Sequence, residues 1–263
     1  MANDNFSQSF PKVSLGAGLS LLLICYIAIL LVDVFRVFRP EFVDNLFVPL
    51  LWDFLFREGS IVEIGQWIFL GVFTIASAYV SGSCSGEESK FWGLLSIGGV
   101  LMLIEDAGNV RHLIIRDILP LNWIMLNVVE TFIFLIIGLP FVIAVMKYRR
   151  PIFDLETTRI LLALGIVFYV AAAFISGPAD ITEINNNLGS AMENTMNYLS
   201  QGELKAIHEE TNEAIIERYK TGYMDISARY VDFLLEESLE LLGAIFLSSA
   251  ALTRVGGRRN EKG

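Results

Sequence analysis

Charge is scarce in this chain. Lys, Arg, Asp and Glu make up 18% of its 263 residues, against about 25% in an ordinary soluble domain. The positive sign is the scarcer one, with 19 Lys and Arg against 29 Asp and Glu and a net charge of −10. A chain without a basic face has no footprint for a phosphate backbone, so nucleic acid is excluded as a partner. Histidine and cysteine occur twice each. Two histidines, His112 and His208, exclude a three-histidine zinc site within one chain. Cys25 lies inside an apolar run and Cys84 in the polar turn SGSCSGEES, a pairing of contexts that argues against a disulfide framework. The sequence has no P-loop, dinucleotide fingerprint, GxSxG elbow or HExxH motif. It also lacks an Arg-rich voltage-sensing helix, a selectivity-filter signature and an internal repeat of the inverted-transporter kind.

Apolar residues are abundant instead: 54% of the chain, with a mean hydropathy of +0.56. A membrane span needs about 20 mostly apolar residues. Six stretches qualify, at about 13–34, 61–81, 91–112, 121–147, 159–176 and 231–252. The first exceeds a signal-peptide core of roughly 7–15 residues and no cleavage pattern follows it, so it reads as a retained span. The expected fold is all-α: a polytopic membrane helix bundle of about six transmembrane helices in a single membrane domain. Segment 35–58, where aromatics alternate with Arg36, Arg39, Asp44, Asp53 and Arg57, suits an interfacial amphipathic stretch, with a re-entrant hairpin as the alternative. KYRRP and RVGGRRNEK directly abut spans, which favours cytoplasmic N- and C-termini in a cell inner membrane. Residues 177–230 then form an extracytoplasmic helical insertion before the last span. Glu203, Glu209, Glu210, Glu213 and Glu217 give it a solvated acidic side, a surface open to a protein partner. His208 reads there as a solvated residue.

The unusual feature is a set of acids within apolar spans. It comprises Glu63 in IVEIGQW, Glu105 and Asp106 in LIEDAGNVRH, Glu130 in NVVETF, and Glu236, Glu237 and Glu240 in LLEESLELLGA. Each such group costs roughly 2.5–3.5 kcal/mol near the centre of a span. With 1.5 Å of rise per residue, all seven fall in the outer half of the membrane. Helical spacing places Glu105, Asn109 and His112 on one stripe, Asp232, Glu236 and Glu240 on another, and Asn127 with Glu130 on a third. Carboxylates from at least three spans are therefore expected to converge. Arg111, Arg116 and Arg229 sit at the rim, with Arg111 and Arg229 placed to pair with the outermost acids. Two function classes follow. One is a cation site for a proton or a divalent metal, in a transporter or a metal-dependent membrane protein, with Glu63, Glu105, Asp106, His112, Glu130, Glu236, Glu237 and Glu240 as candidate ligands. Mostly oxygen donors suit Mg, Ca, Mn or Fe better than soft metals. The Glu-x-x-His spacing of a di-iron bundle is not met. The other class is a non-catalytic subunit or assembly factor, whose acids form a protonated structural core with Asn109, Asn127 and Gln66.

The stretches FREGSIVEIGQWIFLGV, the acidic pair Glu105–Asp106 late in the next span, and LLEESLELLGAIFL in the last resemble a loose group of bacterial multi-pass inner-membrane proteins. That group shares an acidic-Gly-x-x-Glu span start and a Glu-Glu-x-x-Glu last span. The resemblance covers Glu58, Gly59, Glu63, Glu105, Asp106, Glu236, Glu237 and Glu240. It implies a multi-pass fold and no particular activity. Where the group often follows the acidic pair with His-Glu or Trp-Gly-Gln, this chain has Asn109 and His112.

Overall fold

A computed structural model describes residues 4–108, 123–150, 155–176, 184–219 and 226–261. Every regular element among them is helical: α1 (Asp4–Ile29), α2 (Glu41–Asp44), α3 (Leu51–Phe56), α4 (Ile61–Ser83), α5 (Gly86–Gly108), α6 (Trp123–Tyr148), α7 (Glu156–Ser176), α8 (Ile184–Leu199), α9 (Glu203–Tyr219), α10 (Ile226–Arg229) and α11 (Glu236–Glu261). π-Helical turns extend α1 over Leu30–Val34 and precede α11 over Tyr230–Leu235. Six elements are long and apolar enough to cross a membrane: Ser9–Val34, Leu51–Ser83, Gly86–Gly108, Thr131–Tyr148, Glu156–Ser176 and Ile226–Gly257. The all-α fold with six candidate spans is the one the hydropathy pattern predicts. The second apolar element begins at Leu51 rather than 61, because LWDFLF is itself helical. Segment 35–58 is therefore divided, with its last third joining that element. The predicted helical segment before the last span is present as α8 and α9.

The chain forms two compact units. The first comprises Met1–Leu19, Gly65–Ala173 and Glu240–Gly263; the second comprises Ser20–Ile64 and Phe174–Leu239.

In the first unit, α4 and α5 are antiparallel neighbours joined by a turn in which Gly86 takes a φ of +67°. Small polar residues set their register. The Ser81 hydroxyl donates to the Ser89 carbonyl and the Ser89 hydroxyl to the Ser81 carbonyl, each at 2.8 Å. The Ser96 hydroxyl reaches the Thr74 carbonyl at 3.1 Å. Glycines let helices approach closely, as apolar solvent demands when packing rather than water expulsion drives association. A Cβ on Gly98 would lie 2.3 Å from the Phe141 ring, one on Gly165 2.7 Å from Leu247, and one on Gly243 2.4 Å from the Tyr169 ring. The last two pairs lock α7 and α11 reciprocally. Leu241, Ala244, Ile245, Leu247, Ala250 and Ala251 of α11 are all buried. Near its end, Arg254 donates to Glu88 of α5 at 2.6 Å.

In the second unit, short α3 is held at both sides. Asp33, fully buried in the first π-turn, accepts the Leu51 and Trp52 backbone N–H groups at 2.8 and 2.9 Å. These are orphan donors of a helix start. Trp52 stacks on Tyr230 of the second π-turn with ring centroids 4.6 Å apart, and Asp53 pairs with Arg229. Helix α8 crosses α10 at Gly189, where a Cβ would sit 2.1 Å from the Ser227 carbonyl oxygen.

The contact at Gly189 is against backbone, which cannot swing aside. Gly189→Ala should therefore lower stability by roughly 1–3 kcal/mol. Gly16 of α1 has nothing within 4 Å of its would-be Cβ, so Gly16→Ala should raise stability by up to about 1 kcal/mol through helix propensity. Thermal melting of the two purified variants checks both signs. A tolerated Gly189→Ala would contradict the close crossing.

Candidate functional site

The first unit brings together three of the predicted acids, two of them on one amide. The register that pairs Ser81 with Ser89 and Thr74 with Ser96 carries on to set Gln66 of α4 opposite Asp106 of α5. Gln66 is fully buried. Its amide nitrogen donates to Asp106 Oδ2 at 2.7 Å and to Glu240 Oε2 of α11 at 2.9 Å. Both hydrogens of one NH2 group are thus given to carboxylates from two other helices. The two accepting oxygens are no farther apart than those two bonds allow. Gln66 Oε1 is buried and, among the described residues, accepts no hydrogen bond. Glu105, Asp106 and Glu240 line one end of a cavity of about 160 Å³, whose other walls are apolar residues of α5, α6, α7 and α11, with Tyr169 among them. The arrangement is an acidic head on an apolar chamber.

Other predicted residues have local settings of their own. Glu63 is buried in the first turn of α4, where its carboxylate accepts the Gly59 backbone N–H while the Ser60 hydroxyl accepts the Glu63 N–H at 3.4 Å. Ser60-x-x-Glu63 is thus a capping-box arrangement in which the glutamate satisfies a free donor at the helix start. Glu236 and Glu237 are buried in the first turn of α11, within the second unit. Glu130 lies on α6 with its side chain outside the described residues, and His112 is outside them altogether. Among the described residues, Asp106 and Glu240 join two of the spans expected to converge. Among the described residues no group of three or more His, Cys, Asp or Glu side chains is placed to hold a metal ion.

The second unit corrects two expectations. Arg229 pairs with Asp53 of α3 rather than with the acids of the spans. His208 is not a solvated residue: it is 1% exposed. It belongs to the stripe Leu204, His208, Thr211 and Ile215, which is the buried side of α9. Glu203, Glu209, Glu210, Glu213 and Glu217 occupy the exposed sides as predicted. The His208 Nε2 and the Tyr230 hydroxyl are 3.2 Å apart. Its Nδ1 is 3.3 Å from Glu193 Oε1, off the line of a hydrogen bond. Asp33 is a further buried acid, and the signal for it is an aspartate within the apolar run LLVDV.

Burial pushes the His208 pKa down from 6.5 to about 4. The folded imidazole is thus neutral where the unfolded one takes up a proton. This contribution is complete above pH 6.5, declines as pH falls from 6.5 towards 4, and then levels off. Melting temperatures of wild type and His208→Gln across pH 4–8 should converge towards acid, with the wild type losing more over that window. Parallel curves would show that His208 does not titrate in this way.

No protein-family model, curated protein sequence or solved structure matches the chain.

Proposed function

We propose that this is a multi-pass protein of a bacterial inner membrane, with both termini cytoplasmic, whose Gln66–Asp106–Glu240 site takes up a cation in a transport or coupling role. The observation that carries the reading is the shared amide: two carboxylates from different helices are held to one neutral NH2 group inside the apolar unit. Two negative charges that close in a poorly polarisable medium favour uptake of a positive one. A proton suits the site better than a divalent metal. Two carboxylates and one amide oxygen fall short of the six to eight oxygens that calcium takes. A proton needs only one acceptor and leaves the hydrogen-bond pattern free to rearrange.

The amide supplies that rearrangement. With its nitrogen towards the carboxylates it donates to both. Turned by half a revolution, it offers Oε1 as an acceptor to a protonated acid. Gln66 thereby holds the site in either protonation state, and the apolar cavity beside it limits access by water. A second reading draws on the exposed acidic side of α9, which suits contact with a basic protein partner in a larger complex. In that case the polar site only binds helices together.

Reconstitution into vesicles containing a pH-sensitive dye separates the two readings. Wild type should dissipate an imposed pH gradient faster than protein-free vesicles, and Asp106→Asn or Glu240→Gln should abolish the difference. Gln66→Met should slow it and cost about 1–3 kcal/mol of stability, because the donor to both acids is removed. A wild type no faster than empty vesicles, with melting no more pH-dependent than that of Glu240→Gln and unchanged by added divalent ions, would leave the structural reading in its place.

A further inference from the structure

The cavity beside the acids adjoins a second one, and together they read as a trough. A second cavity of about 460 Å³ lies between α6 and α7 and shares Phe141, Val142 and Ile166 with the first. Its apolar wall includes Met146 and Val167, both strongly exposed. Its far end carries Arg149 and Arg159. Arg149, just after α6, and Arg159, in the first turn of α7, thus line one cavity. Along α7 the trough runs from Ala173 to Arg159, about 21 Å at 1.5 Å per residue. One leaflet of hydrocarbon is about 15 Å thick, so a whole acyl chain fits. The trough is therefore polar in sense, with basic groups at one end and Glu105, Asp106 and Glu240 at the other.

We propose that this trough is a binding site for an anionic phospholipid, with its phosphate at Arg149 and Arg159 and one acyl chain along α6 and α7. Arginine forks match phosphate oxygens, and basic pockets between spans on the cytoplasmic side select anionic head groups. The basic KYRR segment that sets the orientation of α6 puts this end on that side. The acids at the far end repel a negative head, which fixes the direction of binding. A hydrocarbon chain suits the wall, whereas an extended peptide would bring unsatisfied backbone groups into an apolar trough. The inference does not depend on what the Gln66 site carries.

The test is thermal stability and native mass spectrometry of the purified full chain with phosphatidylglycerol, phosphatidylcholine of the same acyl chains, and glycerol phosphate. Phosphatidylglycerol should bind and stabilise, while the other two should not. The Arg149→Gln/Arg159→Gln variant should bind it roughly thirtyfold more weakly. Ala163→Trp, which fills the trough and keeps both arginines, should also lose the lipid. Equal effects of the two lipids, or an unchanged double variant, would reduce the trough to ordinary bilayer contact and overturn the proposal. So would an equal shift with glycerol phosphate alone, which points to a soluble phosphate, or a lipid-free dimer that Ala163→Trp breaks, which makes a second copy the occupant.

Discussion

Gln66 has one amide nitrogen, and both of its hydrogens are committed to acids from α5 and α11. In an apolar surrounding each of these groups costs several kcal/mol if left without a partner, so three helices of the first unit are tied to one residue. The rest of that unit makes the approach possible. Serine pairs hold α4 and α5 in the register that brings Gln66 to Asp106. Gly165 and Gly243 admit Leu247 and the Tyr169 ring, which keeps α11 close enough to α7 for Glu240 to reach the same chamber.

The second unit meets the same demand with other parts. Asp33 takes the backbone donors of α3, Arg229 takes Asp53, and Glu63 caps its own helix. Acids that look alike in an apolar sequence thus divide into two kinds. Some satisfy local backbone donors at helix starts. Others, Asp106 and Glu240, meet across helices on one shared amide.

The spans were legible because a run of 20 apolar residues is an averaged signal that tolerates individual exceptions. Glu105, Asp106 and Glu240 were legible as a set because depth and helical phase are both readable from spacing. Position around a bundle is not readable, so spacing does not show that Asp106 and Glu240 share one amide. The capping role of Glu63 had a signal, Ser-x-x-Glu at a helix start, that the more conspicuous intramembrane charge obscured. His208 was misplaced because its stripe on α9 counts a histidine and a threonine among its buried positions. The glycine crossings depend on partners such as Phe141 and Leu247 that lie far along the chain from Gly98 and Gly165, and no local pattern names them.

The central claim is that Asp106 and Glu240 act as one site through Gln66. A double-mutant cycle of Asp106→Asn and Glu240→Gln, read in thermal stability at several pH values, tests it most directly. The account predicts non-additive effects with a coupling of about 0.5–3 kcal/mol, varying with pH and abolished in a Gln66→Met background. Strictly additive effects in both backgrounds would contradict it.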